Sequence, residues 1–232
     1  MKAIYKREMH AYFTNPIGYV FIGVFMLLSG IFFSVEMFRN RVGSVTDVLP
    51  VCMVVLMLLV PIITMRLFAE EKANKTDQLL LTSPVKVSDI VKGKFFAAMS
   101  VFALSVLSTL SYVVIGSIYG DILIGETFCS YLGYFLFGAL LISIGLFVST
   151  LTENQIVAAV LTYGITLVLF FSSMIRTSIP LVDNIIKFFQ ISAWNESFSR
   201  GVITLSGAMY YLSFTVLFLV LSSRQIESRR WR

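Results

Sequence analysis

A polar, charged stretch at residues 66–94 separates two groups of long apolar runs, and it constrains the fold more than any other feature. The flanking runs, residues 48–65 and 95–118, are each about long enough to cross the ~30 Å hydrocarbon layer at ~1.5 Å per helical residue. The stretch also holds six of the 18 basic residues. A chain with this pattern is expected to cross a membrane and to expose a charged loop at one surface.

Composition supports a membrane protein and argues against other classes. Charged residues make up only 13% of the chain, about half the share of a typical soluble domain. The net charge of +5 comes from basic residues in short loops, which indicates membrane topology rather than nucleic-acid binding. Cys52 and Cys129 lack metal-ligand spacing, and no phosphate-binding loop of the form Gly-x-x-x-x-Gly-Lys-Ser/Thr occurs. No nucleic-acid partner, metal or cofactor is expected for this chain itself.

Six membrane-spanning helices are predicted, at residues 17–35, 48–65, 95–118, 128–150, 155–175 and 207–223. With the N-terminus inside, 13 of the 18 basic residues fall on the cytoplasmic side, which favours both termini in the cytoplasm. Runs of this length are helices, because lipid offers the backbone no other hydrogen-bond partners. The predicted fold class is an all-α integral membrane protein with one transmembrane domain over residues 1–232.

The N-terminal segment, residues 1–16, has its own helical pattern. Tyr5, Met9, Tyr12 and Phe13 share one face of a helix, and Pro16 follows the point where that helix should end. The pattern predicts an interfacial helix along the cytoplasmic leaflet. A frayed tail whose charges only set the topology is the alternative.

The charged loop at residues 66–94 is predicted to contain short helices. Residues 66–72 extend the second span and carry Glu70 and Glu71, and Ser88 is placed to cap the next helix, with Asp89 in its first turn. Thr76 is placed to cap another short helix, and its leucines need either a partner surface or the chain's own loops to cover them. The residues after Thr76 in that helix include Asp77, Gln78, Leu79 and Leu80.

Two further connections carry predictions. Residues 152–155 have the spacing of a capping box, in which Thr152 caps the fifth span and Glu153 lies in its first turn. The outward segment at residues 176–206 mixes apolar and polar residues at helical spacing, and Gly201 permits a turn before the last span. This pattern predicts re-entrant helices that form a lid or outer gate. The residues assigned to this gate are Phe188, Phe189, Trp194 and Phe198.

Several sequence motifs together resemble a known family. These are Arg-Leu-Phe-Ala-Glu-Glu-Lys from residue 66, Gln-Leu-Leu-Leu-Thr-Ser-Pro-Val from residue 78 and Ile-Val-Lys-Gly-Lys-Phe from residue 90. They resemble the loop of type-2 ABC exporter permeases. Phe-Ser-Arg-Gly-Val-Ile from residue 198 and Glu-Ser-Arg-Arg-Trp from residue 227 are similar to the gliding-motility-type branch of that family.

The resemblance implies a non-catalytic permease subunit of an ATP-driven exporter in the bacterial cytoplasmic membrane. ATP and Mg would bind in a separate ABC ATP-binding subunit, and a second permease copy or a homologous permease would complete the pathway. Membrane lipids and an auxiliary extracytoplasmic subunit are the other implied partners. The residues that the resemblance assigns to the ATPase-coupling interface are Glu70, Glu71, Thr76, Asp77, Gln78, Leu79, Leu80, Thr152, Glu153 and Asn154.

The sequence argues against one alternative to an exporter and leaves a second one open. A membrane-embedded enzyme is disfavoured because the predicted spans contain no cluster of nucleophile, base and metal ligands. A membrane anchor or sensory scaffold for an ATPase, without translocation, would have the same sequence features. The substrate class stays open among lipids, amphipathic peptides and glycans.

Overall fold

The computed structural model describes residues 1–40, 45–76, 85–119, 123–172, 197–198 and 201–230. Within these residues the long elements are helices, and no strand occurs. In chain order they are α1 (Lys2–Thr14), α2 (Ile17–Asn40), α3 (Val45–Thr64), α4 (Arg66–Ala73), α5 (Val87–Ser108), α6 (Leu110–Tyr119), α7 (Ile124–Leu151), α8 (Gln155–Phe171) and α9 (Leu205–Arg230).

In the described part of the chain, five helical stretches are long and apolar enough to cross a membrane: Ile17–Phe38, Val48–Ala73, Val87–Ile118, Ile124–Leu151 and Leu205–Arg229. They match five of the six predicted spans, so the all-helical, multi-pass fold is confirmed. The remaining predicted span, residues 155–175, coincides with the shorter apolar helix Gln155–Phe171. Because residues 173–175 lie outside the described part of the chain, the count of six stays a prediction.

Helix α7 is the centre of the bundle. In its apolar window 78% of the residues are buried, against 28% in the window of α9, and α7 contacts α3, α4, α5, α8 and α9. Glycines allow the close approach of its neighbours. A Cβ atom at Gly145 would overlap the Thr64 side chain of α3, and one at Gly138 would overlap the Phe102 ring of α5.

Replacing Gly145 with alanine should therefore destabilise the protein, even though alanine favours helix formation. We expect a loss of about 1–3 kcal/mol in the free energy of unfolding, the usual cost of overpacking a core. Gly164→Ala in α8 is the matched control, because a Cβ atom there meets no atom within 4 Å. Unfolding in detergent measures both, and equal stability of the two variants would show that the α3–α7 contact tolerates the methyl group.

The N-terminal segment is a helix that ends at Thr14, as predicted, and it packs against α5. Tyr12 is buried and its hydroxyl donates to the carbonyl oxygen of Ile63 at 3.0 Å, while the Tyr5 hydroxyl hydrogen-bonds with that of Ser100 at 2.9 Å. Met9 and Phe13 pack beside them. The frayed-tail alternative is therefore wrong, and the placement of α1 at the membrane surface stays a prediction.

Two predicted helix caps are wrong. Helix α5 begins at Val87, before Ser88, and its N-cap residue makes no side-chain capping bond. Asn154, not Thr152, caps α8, because the Asn154 Oδ1 accepts from the Ile156 N–H at 2.9 Å. The backbone of Thr152 ends α7, and its hydroxyl accepts instead from the Asn154 N–H at 3.1 Å. The prediction of Asp89 in the first turn of α5 is confirmed. The prediction of Glu153 in the first turn of α8 is wrong, because Glu153 precedes the capping residue Asn154.

Candidate functional site

Helix α4 leaves the end of α3 at Met65 and is held at its start by a side chain of α7. The Ser149 hydroxyl accepts hydrogen bonds from the N–H groups of Phe68 and Ala69 and donates one to the carbonyl oxygen of Met65, each at 3.0 Å. The first N–H groups of a helix have no partner inside that helix. Ser149 supplies partners for two of them and fixes the junction between α3 and α4.

The other end of α4 is held by the reverse arrangement. The buried Lys72 ammonium donates to the carbonyl oxygen of Thr150, in the last turn of α7, where carbonyl groups lack partners within the helix. A hydroxyl group of α7 therefore bonds to the start of α4, and an ammonium group of α4 bonds to the end of α7. The two helices cap each other and form one packed unit.

A buried lysine lies beneath α4. The Lys94 side chain of α5 is 1% exposed, and its Nζ lies 3.0 Å from Glu8 Oε1, 3.0 Å from Glu71 Oε2 and 2.6 Å from the carbonyl oxygen of Leu67. It also lies 4.9 Å from the centroid of the Phe68 ring. Glu8, Glu71 and Lys94 therefore tie α1, α4 and α5 together at this end of the bundle.

Arg7 joins the same group of charges. Its Nη2 bonds to Glu8 Oε1 at 2.6 Å and also to Glu71 Oε1. We call Arg7, Glu8, Glu71 and Lys94 the charged cluster. Glu71 Oε2 contacts Lys94 as an ion pair without a directed hydrogen bond, while its other oxygen bonds to Arg7. Two cations and two carboxylates balance, which makes burial of the Lys94 charge tolerable.

The charged cluster shifts the pKa values of Glu8 and Arg7 in opposite directions. Burial raises the pKa, but the charge of Lys94 and the hydrogen bonds from Arg7 and Lys94 outweigh burial, so the pKa falls below its ordinary value of 4.5. For Arg7, burial lowers the pKa, and the two carboxylates outweigh it, so the pKa rises. Both groups are charged at neutral pH in this environment.

The lowered pKa predicts acid sensitivity of the α1 contact. Because the pKa of Glu8 is lower in the folded chain than in the unfolded chain, its stabilisation is present above pH 4.5 and is lost as the pH falls through the folded value. Glu8→Gln should remove this part of the pH dependence and lower the stability at neutral pH. Unfolding measured between pH 3 and pH 7, on the ordinary scale of carboxyl titration, tests both effects. An unchanged pH profile in the variant would contradict this role of Glu8.

The predicted coupling residues have different environments. Glu70 is partly exposed and pairs with Arg66 at 2.7 Å, whereas Glu71 is directed into the charged cluster. Thr76 is exposed, and its hydroxyl donates to the carbonyl oxygen of Glu71 at 3.2 Å. Beside these residues a pocket of about 280 Å³ lies between α1 and α4. The predicted coupling residues Asp77, Gln78, Leu79 and Leu80 lie outside the described part of the chain.

The end of α4 and the connection between α7 and α8 approach each other at this end of the bundle. Ala73, at the end of α4, lines a concave surface of about 580 Å³ together with Glu153, Asn154, Gln155 and Ile156. We call this the α4–α8 surface. Glu153 and Asn154 are exposed on it, and Thr152 lies next to them at the end of α7. Segments about 80 residues apart in sequence thus form one continuous surface.

Phe198, the residue of the predicted outer gate that the structure describes, lies near the opposite end of α7. Phe188, Phe189 and Trp194 lie outside the described residues, but Phe198 is fully buried and its ring packs against that of Tyr211. The Ser130 hydroxyl donates to the carbonyl oxygen of Phe198 at 3.2 Å. The predicted turn at Gly201 is confirmed, with φ at +75°. Phe198 is therefore an anchor inside the bundle rather than an exposed part of a lid.

Lys72 and Lys94 are two residues whose roles the sequence did not reveal. Both were counted among the basic residues of an exposed loop, yet the structure buries them against carbonyl and carboxylate oxygens. The one available signal is that the apolar run at residue 95 begins directly after Lys94. Its partner Glu8 lies 86 residues away in sequence, so no local spacing pairs the two.

Comparison with known families shows to which family the chain belongs. The family model described as ABC-2 family transporter protein matches residues 34–198, which is more than two thirds of the chain. The chain belongs to the ABC-2 transporter family. No curated protein matches it. Membership makes the chain a multi-pass membrane component of an ABC transporter, and this family implies partnership with an ABC ATP-binding subunit. Its role is that of a permease, as the motifs of the charged loop predicted.

Proposed function

We propose that this chain is the permease subunit of an ATP-driven exporter and that its ATPase docks on the α4–α8 surface. The observation that carries the proposal is the convergence of Ala73 with Glu153, Asn154 and Gln155 on one concave surface. Helix α4 is fixed to α7 by Ser149 and Lys72, so a force on this surface reaches the central helix of the bundle. Glu70, Thr76 and Thr152 complete the proposed contact, together with residues 77–80.

The proposed oligomeric state, topology, location and partners are those that the family resemblance implies. The chain works as a dimer with a second copy or a homologous permease, has six spans with both termini in the cytoplasm, and lies in the bacterial cytoplasmic membrane. The gliding-motility-type branch is its proposed place in the family. Residues 176–206 form the outer lid, with Phe188, Phe189 and Trp194 as its gate and buried Phe198 as its anchor. ATP and Mg bind in the partner, and an auxiliary extracytoplasmic subunit completes the complex.

Purification of the tagged full-length chain from native membranes tests the proposal. The expected result is a complex that contains two permease copies and a subunit with a phosphate-binding loop, and that hydrolyses ATP. A monomer without an associated ATPase would contradict the proposal. If an ATPase is present but molecules added in lipid vesicles are never moved, the chain is an anchor for the ATPase, which is the alternative function.

A further inference from the structure

Two adjacent residues of α7, Ser149 and Thr150, bind the two ends of α4 and fix its position relative to α7. Ser149 is fully buried and makes three hydrogen bonds to the backbone around the start of α4, and the carbonyl oxygen of Thr150 accepts from Lys72 near its end. The close contact of Gly145 with Thr64 lies one turn earlier on the same face of α7. No other serine of α7 bonds to the backbone of α4 in the described residues.

We infer that Ser149 is a positioning residue that makes α4 and the α7–α8 turn move as one rigid unit. Without its hydroxyl the N–H groups of Phe68 and Ala69 would be buried without partners, so α4 would separate more readily from α7. The two halves of the α4–α8 surface lie on opposite sides of this junction. Their relative position is fixed by the three bonds of Ser149 together with the bond from Lys72 to Thr150. The rigid unit is a property of the fold, and its use in coupling rests on the proposed function.

Hydrogen exchange in the full-length chain without nucleotide tests the rigid unit directly. In Ser149→Ala, the amide protons of α4 should exchange about tenfold faster, the shift expected when one buried hydrogen-bond partner is lost. Ser143→Ala is the matched control, because Ser143 is equally buried in α7 but its hydroxyl donates only to Leu140 of its own helix. Ser149→Thr keeps the hydroxyl and should restore protection. Equal exchange in Ser149→Ala and Ser143→Ala would overturn the inference.

Lys72→Met provides a second test of the rigid unit if Ser149→Ala does not fold. It removes the bond to Thr150 from the opposite end of α4 and should also increase exchange of the α4 amides. Unchanged protection in Lys72→Met would contradict the reciprocal capping of α4 and α7.

A distance measurement tests the role in coupling. Spin labels at Asn74, directly after α4, and at Leu151, in α7, replace exposed residues that lie off the α4–α8 surface. In the complex with its ATPase, this distance should be the same without nucleotide and after trapping with Mg-ADP and vanadate. In Ser149→Ala it should change on trapping. A change of equal size in the unaltered protein would overturn the inference. Absence of any ATPase would instead refute the proposed function, and the exchange result would still decide whether Ser149 holds α4.

Discussion

Replacing Lys94 with methionine should lower the free energy of unfolding by about 3 kcal/mol, because it leaves Glu8 and Glu71 without the cation they share. This lies at the low end of the range for breaking a buried ion pair, since both carboxylates keep some exposure. Lys92→Met is the matched control, because Lys92 lies on the same helix and is exposed. Unfolding followed in the same detergent compares the two variants.

A triple variant separates the charge effect from packing. Adding Glu8→Gln and Glu71→Gln to Lys94→Met removes the two carboxylates that lost their shared cation. The remaining charge is that of Arg7, whose side chain is about half exposed, so the triple variant should recover most of the lost stability. If Lys94→Met is no less stable than Lys92→Met within about 0.5 kcal/mol, the usual scatter for surface changes, the charged cluster does not hold α1 and α4 to α5.

Reversing the charges of Glu70 and Glu153 to lysine should reduce the amount of ATPase that copurifies by at least about tenfold, because complementary charges at an interface set assembly and orientation. The fold should persist, since Glu70 makes a partly exposed pair with Arg66 one turn away on α4, and helix pairs of this spacing contribute about 0.3–0.5 kcal/mol. Glu227→Lys is the control, with the same type of substitution at one exposed position of α9. Quantitative recovery of the complex by affinity purification is the measurement.

Glu71→Lys should behave differently from that pair. Its carboxylate lies within the charged cluster, so reversal should destabilise the chain itself before it affects any partner. Normal stability with loss of the ATPase in Glu71→Lys would place Glu71 at the interface, contrary to the present account. Normal ATPase recovery in the Glu70 and Glu153 double variant would show that these carboxylates are ordinary solvated charges.

The sequence predicted the long helices well, because apolar runs of about 20 residues leave the backbone few other choices. The α1 helix and its end at Thr14, just before Asn15 and Pro16, followed equally from local pattern, as did the turn at Gly201. Helix caps were less predictable. Thr152 and Asn154 are both good capping residues two positions apart, and only the backbone around them decides which one begins α8.

The candidate site was predictable in location but not in its internal contacts. The family motifs indicated Glu70, Glu71 and Glu153 together, without distinguishing the exposed carboxylates from the buried one. That distinction depends on Lys94 and Arg7, which approach Glu71 only when α1 folds back onto α5. Ser149 was not singled out, because a serine in an apolar helix gives no indication that it will contact another helix.

The most direct test of the account is site-specific photocrosslinking from the α4–α8 surface in native membranes. A photoreactive residue at Glu153 should crosslink to a subunit that binds ATP, whereas one at Leu123, exposed at the opposite end of α7, should not. The crosslinked band, identified by mass spectrometry, should contain a phosphate-binding loop. Crosslinking of an ATPase from Leu123 and not from Glu153 would contradict the account.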